Sequence, residues 1–400
     1  MDKLPVADAV RLLNADISSM RVLFVVSGLG IGGAEKQVVL LTRELAARGH
    51  RVCIFALNRR DARVGELGGV SVEVTIEQKR TAFDVRVIRR LRRLIREWKP
   101  DVVHGFLYDG NIYSRLAAIG IPVIVLSSER SDNYLLSTTQ RLGNRLTRML
   151  ADGVIANSNA GADFAARTQH FAAEHCSVVW NGIDLADVDA RMDTARRRDT
   201  PVAAQIWPGV NIRRLCMVGS VKPAKDYPLA LRVMRHLADR DPSWRFICVG
   251  GKLFNETSDE ESKVLAEFQR LGLDQVLKFV GPRSDALEII GTSDALLMTS
   301  QREGFPNVVL EAMACGTPVA STDYSDVKQI LPNRWQVAQE RDPGCLADIV
   351  ERCLAERNWV VTAQRRWVES NGTIAASASR LLTLYERYLR PVSPALTRIG

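Results

Sequence analysis

No apolar run in this 400-residue chain is long enough to cross a bilayer; the longest, 117–126, is about half of what a membrane-spanning helix needs. The opening stretch MDKLPVADAVRLLNADISSM lacks an uninterrupted apolar segment, so it does not read as a secretory leader. The seven cysteines are scattered, odd in number and without a C-x-x-C pair, which argues against a disulfide framework or a structural zinc site. Cys53, Cys216 and Cys248 sit inside apolar runs and read as small core residues. A reducing cytoplasm fits these absences. There is no G-x-S-x-G or Cys/His pair for a hydrolase, and no His/Cys/Asp cluster for a metal. No aromatic stacking run or nucleic-acid motif accompanies the basic charge, so nucleic acid is not the expected partner. Low-complexity segments and short repeats are missing as well.

What is present is an ordinary globular composition, 46% hydrophobic and 25% charged, in a chain too long for one core. Two domains are expected. The net charge of +8 is unevenly placed: 25 basic against 18 acidic residues through Gly182, then 29 against 28. A basic first half suggests an anionic partner such as a phosphate or a membrane surface.

Short β-rich runs alternate with helix-like runs. In the first half RVLFVVS (21–27) precedes an amphipathic stretch at 34–47, followed by strands at 52–57, 70–76, 102–104, 123–127 and 177–180, with helices near 84–98 and 110–119. The rhythm breaks after Asn181-Gly182-Ile183-Asp184, and the polar, arginine-rich stretch that follows reads as an irregular linker. A second series begins at 214–220 and continues at 244–251, 276–281, 294–300 and 318–322. This predicts an α/β chain of two tandem doubly wound, Rossmann-like domains facing a cleft: 1–182, a linker 183–211, 212–372, and a C-terminal helix and tail 373–400 that packs back on the first domain. Ligands in such sheets bind beyond the carboxyl ends of the strands, so the loops there are where chemistry is expected.

The first such loop is Gly28-Leu29-Gly30-Ile31-Gly32-Gly33-Ala34-Glu35. Gly28, Gly30 and Gly33 match the dinucleotide fingerprint, and Asn58, Arg59 and Arg60 after the next strand suit an NADP phosphate, so an NADP-dependent oxidoreductase is one reading. A glycine turn that merely packs is another. The third keeps the helix N-terminus and changes the ligand, with Gly32 and Gly33 lining a diphosphate site.

The most informative segment runs from Glu303 to Val319, EGFPNVVLEAMACGTPV, in which Glu303 and Glu311 are separated by seven residues. Glu303 falls in a strand-to-helix loop, Asn307 is a plausible helix cap, and Glu311 lies about one turn into the helix, where a carboxylate can accept from vicinal hydroxyls. This segment resembles the E-x7-E motif of the retaining glycosyltransferases of family four, which build bacterial surface polysaccharides. Gly-Gly-Ala-Glu at 32–35, Asn-Gly-Ile-Asp at 181–184 and Val-Gly-Ser-Val-Lys-Pro-Ala-Lys-Asp at 218–226 resemble that family too, and the likeness runs from about 20 to 330.

The resemblance implies the GT-B fold and transfer of a hexosyl or N-acetylhexosaminyl unit from a nucleotide diphosphate sugar, a UDP-sugar first. The acceptor would be a lipid-linked or other glycan in polysaccharide or lipopolysaccharide synthesis, with no cofactor and no metal required. It assigns the donor ribose to Glu311, the donor sugar to Glu303 with the Gly304 and Phe305 amides, the diphosphate to Lys225, and the nucleobase region to Arg283. Asn307 falls within the same donor-binding segment. Where the family has Arg after the glycine of the Val-Gly segment, this chain has Ser220, with Lys222 two residues on as a substitute charge. Where some relatives carry a histidine near the reacting sugar, this chain has Ser127-Ser128-Glu129-Arg130, so Glu129 or Arg130 takes that place or forms a loop ion pair. His104, read as ending a strand, either touches the acceptor or is a satisfied loop histidine. Asp187-Val188-Asp189 resembles the metal-binding D-x-D of a different glycosyltransferase fold, but its linker position makes it a chance match. A non-catalytic sugar-nucleotide-binding protein is the alternative from another class. Finally, DVRVIRRLRRLIREW (84–98) carries six arginines at helical spacing, and Arg141, Arg145 and Arg148 repeat the theme. That pattern predicts peripheral contact with an anionic membrane surface, its alternative being a packed helix with a solvated basic face.

Overall fold

The computed structural model describes residues 19–30, 32–130, 136–250 and 259–390. The opening stretch up to 18, Ile31 of the glycine loop, Gly251 and the tail after 390 lie outside them. The chain divides into two compact units, one of residues 1–182 with 374–400, the other of residues 183–373.

The first unit holds seven parallel strands in the order β3-β2-β1-β4-β5-β6-β7: β1 Arg21–Val26, β2 Arg51–Ala56, β3 Glu73–Ile76, β4 Val102–Phe106, β5 Ile124–Glu129, β6 Gly153–Ala156 and β7 Cys176–Val178. Its helices are α1 Gly33–Ala47, α2 Val85–Trp98, α3 Leu107–Ala117, α4 Thr138–Thr147 and α5 Asn159–Gln169. The order reverses direction at β1, and right-handed crossovers then put successive helices on opposite faces of the sheet. Helices α2, α3, α4 and α5 touch in that sequence on one face; α1 and the C-terminal helix Ile374–Leu389 pair on the other. β1 shows why both faces are apolar: Val22, Phe24 and Val26 enter one core, Leu23 and Val25 the other.

The second unit has five parallel strands in the order β10-β9-β8-β11-β12: β8 Arg213–Val218, β9 Trp244–Val249, β10 Leu277–Phe279, β11 Ala295–Met298 and β12 Val319–Ser321. Its helices are α6 Leu185–Arg196, α7 Val202–Ile206, α8 Tyr227–Arg240, α9 Asp259–Arg270, α10 Ala286–Gly291, α11 Asn307–Cys315, α12 Val327–Ile330, α13 Pro343–Ala355 and α14 Arg357–Trp367.

The expected irregular linker is therefore helical. Val188, Met192 and Ala195 are buried at positions i, i+4 and i+7 of α6, an apolar stripe thin enough to be lost among the surrounding charges. Asp184 caps that helix, accepting from Asp187 N at 3.1 Å. The C-terminal helix buries Leu381, Tyr385 and Leu389 in the first unit, in the same core as β1 and α1. Cys53, Cys216 and Cys248 are fully buried.

Candidate active site

In the second unit the loops after β8 and β11 meet. After β8 the chain runs through Gly219, exposed Ser220 and Lys222 into a single turn, Pro223–Lys225, and Asp226 then starts α8. Asp226 adopts a left-handed conformation (φ 47°) and caps α8 by accepting from Leu229 N at 3.2 Å. The turn folds the Lys225 side chain over Gly219, where a Cβ would stand 2.9 Å from Lys225 Cε. Neighbouring Gly250 has φ +102° and would bring a Cβ within 2.9 Å of Gly219 O, so the strand ends can approach this closely only as glycines.

Lys225 Nζ bonds Glu303 Oε1, and Ser300 Oγ donates to the same oxygen at 2.7 Å. The two side chains are only 15% and 18% exposed, so the pair is partly withdrawn from water while its outer atoms stay reachable. The two loops are tied together. Gln301 N donates to Ala224 O at 2.7 Å, and Thr299 Oγ1 donates to Lys225 O at 2.8 Å. Arg341 adds bonds to Asp226 Oδ2 and Thr299 O, both at 2.6 Å, and to Ser300 O at 3.0 Å. Sequence reading missed Arg341, an arginine in a polar loop ahead of α13 with no motif around it.

Glu311 is half-buried on α11, one turn beyond the Glu303 loop; Arg191 of α6 is held as a cation chiefly by its bonds to Glu288, with Glu311 adding the smallest share. The Arg191–Glu288 bonds are 3.0 and 2.8 Å. Asn307 does not cap α11: it is the first helical residue, and Pro306 holds the cap position without a side-chain bond. Gly304 O accepts from Ser325 Oγ, and the Phe305 side chain is buried, leaving only its backbone for a ligand. Arg283 follows β10 and is held by Asp285 in a two-pronged pair, both bonds 2.7 Å. Lys222 makes no ion pair among the described residues.

The first unit treats its singled-out residues differently. His104 does not end its strand. It lies mid-β4, fully buried, with Nδ1 2.7 Å from Tyr385 Oη and Nε2 3.2 Å from Ser128 Oγ. Burial, with Arg130 adding to it, holds its pKa well below the usual histidine range, so it is a neutral interior group and no acceptor contact is open to it. Glu129 is 2% exposed, its Oε2 accepting from Gln169 Nε2 at 2.7 Å, so the expected part in the sugar chemistry falls to burial. Arg130 is half-exposed: its Nε donates to Ser128 Oγ at 2.9 Å, its Nη1 to Asn181 Oδ1 at 2.9 Å, and its guanidinium lies over Phe106. Burial lowers its pKa to about 10, which leaves it cationic at neutral pH.

The glycine loop divides. Leu29 N donates to Arg60 O at 2.5 Å, and a Cβ on Gly28 would meet Arg60 Cβ at 2.9 Å. Arg60 thus packs directly on the loop at Gly28, so Gly28 serves packing. Gly32 is the cap residue of α1, and the Glu35 carboxylate lies so close that a Cβ there would be 1.9 Å from Oε2. Gly33 opens the helix. Asp189 of the chance D-x-D pairs with Arg365 through bonds of 2.7 and 2.8 Å, and no cluster of His, Cys, Asp or Glu able to hold a metal occurs among the described residues.

The sequence model described as Glycosyltransferase Family 4 matches residues 31–187, and that described as Glycosyl transferases group 1 matches 210–371. The chain belongs to the family-4 type of glycosyltransferase. Among curated proteins it is similar to the D-inositol 3-phosphate glycosyltransferase of Streptosporangium roseum, 25% identical over 82% of this chain and 81% of the relative. It is also similar to the GDP-mannose-dependent alpha-(1-6)-phosphatidylinositol dimannoside mannosyltransferase of Mycobacterium tuberculosis, 24% identical over 90% of this chain and 97% of the relative. Among solved structures it is similar to Anabaena HepE in complex with UDP, with TM-score 0.75 and 19% identity over 92% of this chain and 100% of that one. The two Rossmann-like units are those of the GT-B fold, and this glycosyltransferase is a transferase rather than the oxidoreductase that Gly28, Gly30 and Gly33 allow.

Proposed function

We propose that this glycosyltransferase moves a hexosyl or N-acetylhexosaminyl unit from a nucleotide diphosphate sugar to an acceptor hydroxyl, with retention at the anomeric carbon. The observation that carries this reading is the joining of Lys225 and Glu303 on two tied strand-end loops, with Glu311 one turn further on. Breaking the anomeric C–O bond sends its electron pair to the leaving phosphate and leaves positive charge on the sugar ring. Lys225 meets the developing negative charge, and its fixed position over Gly219 makes the site preorganised rather than induced. Glu303 hands its place on Lys225 to the diphosphate and turns to the sugar hydroxyls. Glu311 accepts from the two ribose hydroxyls. The acceptor oxygen attacks on the leaving-group face, and its proton passes to the departing phosphate oxygen, so no covalent intermediate on the protein is needed. Lys222 supports the diphosphate in place of the arginine that Ser220 lacks, Arg283 faces the base, and neither a metal nor a cofactor is required.

UDP is the first donor nucleotide on this reading, supported by the UDP complex of HepE. A lipid-linked or other glycan acceptor, at an anionic membrane surface on the cytoplasmic side, is supported by the relative whose name includes phosphatidylinositol dimannoside and by the basic first half of the chain. Surface polysaccharide or lipopolysaccharide synthesis in a bacterium is the setting this suggests. The test is nucleotide release from a panel of UDP-, GDP- and ADP-sugars, with and without chelator. Release from one sugar-nucleotide class that survives chelation is expected. Binding without release, even when acceptor glycans are supplied, would favour a sugar-nucleotide-binding protein; activity lost to chelator and restored by divalent metal would remove the metal-free mechanism.

A further inference from the structure

The helical layer α2–α5 of the first unit, with the turns next to it, holds six of the eight large hydrophobic side chains exposed among the described residues: Phe83, Val85, Ile119, Leu142, Leu146 and Met149. Helix α4 and the turn after it concentrate them. Leu142, Leu146 and Met149 stand at positions i, i+4 and i+7 and are 55%, 71% and 77% exposed, while only Asn144 of the helix is buried. A helix that packs on its protein normally turns its leucines inward; this one presents them to the outside. Arg141, Arg145 and Arg148 alternate with the stripe, Arg148 also donating through Nη1 to His170 O at 2.7 Å. On α2, which lies beyond α3 in the same layer, Arg86 is taken by Asp84, Arg90 by Glu77 and Arg92 by Ala117 O and Ile119 O. Arg89, Arg93 and Arg96 make no ion pair among the described residues.

We propose that the Leu142–Leu146–Met149 stripe inserts into the headgroup–acyl boundary of an anionic bilayer, with the arginines of α4 and of α2 in the same helical layer meeting lipid phosphates. Apolar side chains flanked by arginine are the composition that an in-plane membrane helix requires. A second copy of this chain is a poorer occupant, because a two-fold contact through the same stripe would set arginine against arginine. The inference deepens the membrane-surface part of the proposed function by naming the element that enters the lipid. It does not depend on the reaction. Insertion differs from surface attraction in salt response: contacts between arginine and headgroup are screened within about 8–10 Å, whereas buried apolar area is not.

The experiment is flotation of the full chain with mixed phosphatidylglycerol–phosphatidylcholine vesicles and with phosphatidylcholine alone, at low and high salt. The variants are the triple Leu142→Ser, Leu146→Ser, Met149→Ser and the triple Arg89→Gln, Arg93→Gln, Arg96→Gln. The wild type should float with the anionic vesicles and keep a salt-resistant fraction. The serine variant should partition about tenfold less and lose that fraction, with nucleotide release in solution unchanged. The glutamine variant should lose only the salt-sensitive part. Wild-type flotation that the serine variant retains in full, or no flotation of the wild type at low salt, overturns the insertion. A wild-type dimer that becomes monomeric in the serine variant assigns the stripe to self-association instead. Nucleotide release is read without vesicles, so a failed reaction and a failed membrane contact give separate signals.

Discussion

His104 and Glu129 of the first unit and Lys225 and Glu303 of the second were all singled out as polar residues in or after strands, yet the fold uses them in opposite ways. The first pair is swallowed: His104 is locked to Tyr385 and Ser128, and Glu129 to Gln169. The second stops short of burial, and each partner's charge is met mainly by the other. Fixed hydrogen bonds to main chain and interior side chains make a group structural. A charge pair at a loop junction, held by its neighbours but still reachable, is what an anionic ligand can open. On the proposed function, the difference assigns donor chemistry to the second unit and leaves the first with scaffold and surface.

The comparison breaks most visibly at Lys225. Lys225→Ala should lower kcat/KM for transfer by about 10²–10³, the usual loss when one preorganised group facing developing negative charge is removed. Steady-state kinetics checks this; a loss below tenfold would mean that Lys225 only neutralises Glu303. Glu311→Ala should raise the donor KM by about 10–150-fold, equivalent to 1.5–3 kcal/mol for hydrogen bonds to a charged group, while unfolding midpoints stay put. An unchanged KM would leave Glu311 only a charge near Arg191.

The smallest effect belongs to His104. Burial lowers its folded-state pKa, so the folded chain binds fewer protons than the unfolded chain, whose histidine titrates near 6.5. Its contribution is fully present above about pH 6.5 and is lost as the pH falls below that, by at most about 1.4 kcal/mol per pH unit. His50, lowered in the same direction by burial and Arg48, adds to the slope. Denaturant midpoints at pH 7.5 and 5.5 should differ accordingly for the wild type and less for His104→Gln. Equal slopes would show that His104 is not held neutral.

The βα alternation was legible because parallel strands buried on both faces leave dense apolar runs such as 21–26 and 213–218. Glycine punctuation and the 303–311 spacing brought the candidate loops into view before any geometry. What was not legible depended on partners distant in sequence. His104 reads as a strand-end histidine until Tyr385, 281 residues away, is seen on its ring. Arg341 has no local pattern; its meaning lies in Asp226, 115 residues earlier. Helix α6 was taken for linker because only Val188, Met192 and Ala195 mark its buried side. The α2 arginines looked like one basic face, yet three of the six are spent on groups within the fold.

The most direct test is a calorimetric titration of UDP into four proteins: wild type, Lys225→Ala with Glu311→Ala, Glu129→Gln, and His104→Gln. Binding to the wild type, lost or weakened at least about a hundredfold in the double variant and kept within a few-fold in the two first-unit variants, is the expected result. UDP binding that survives the double variant and disappears on replacing Glu129 or His104 in a protein that still folds would place the donor site in the wrong unit.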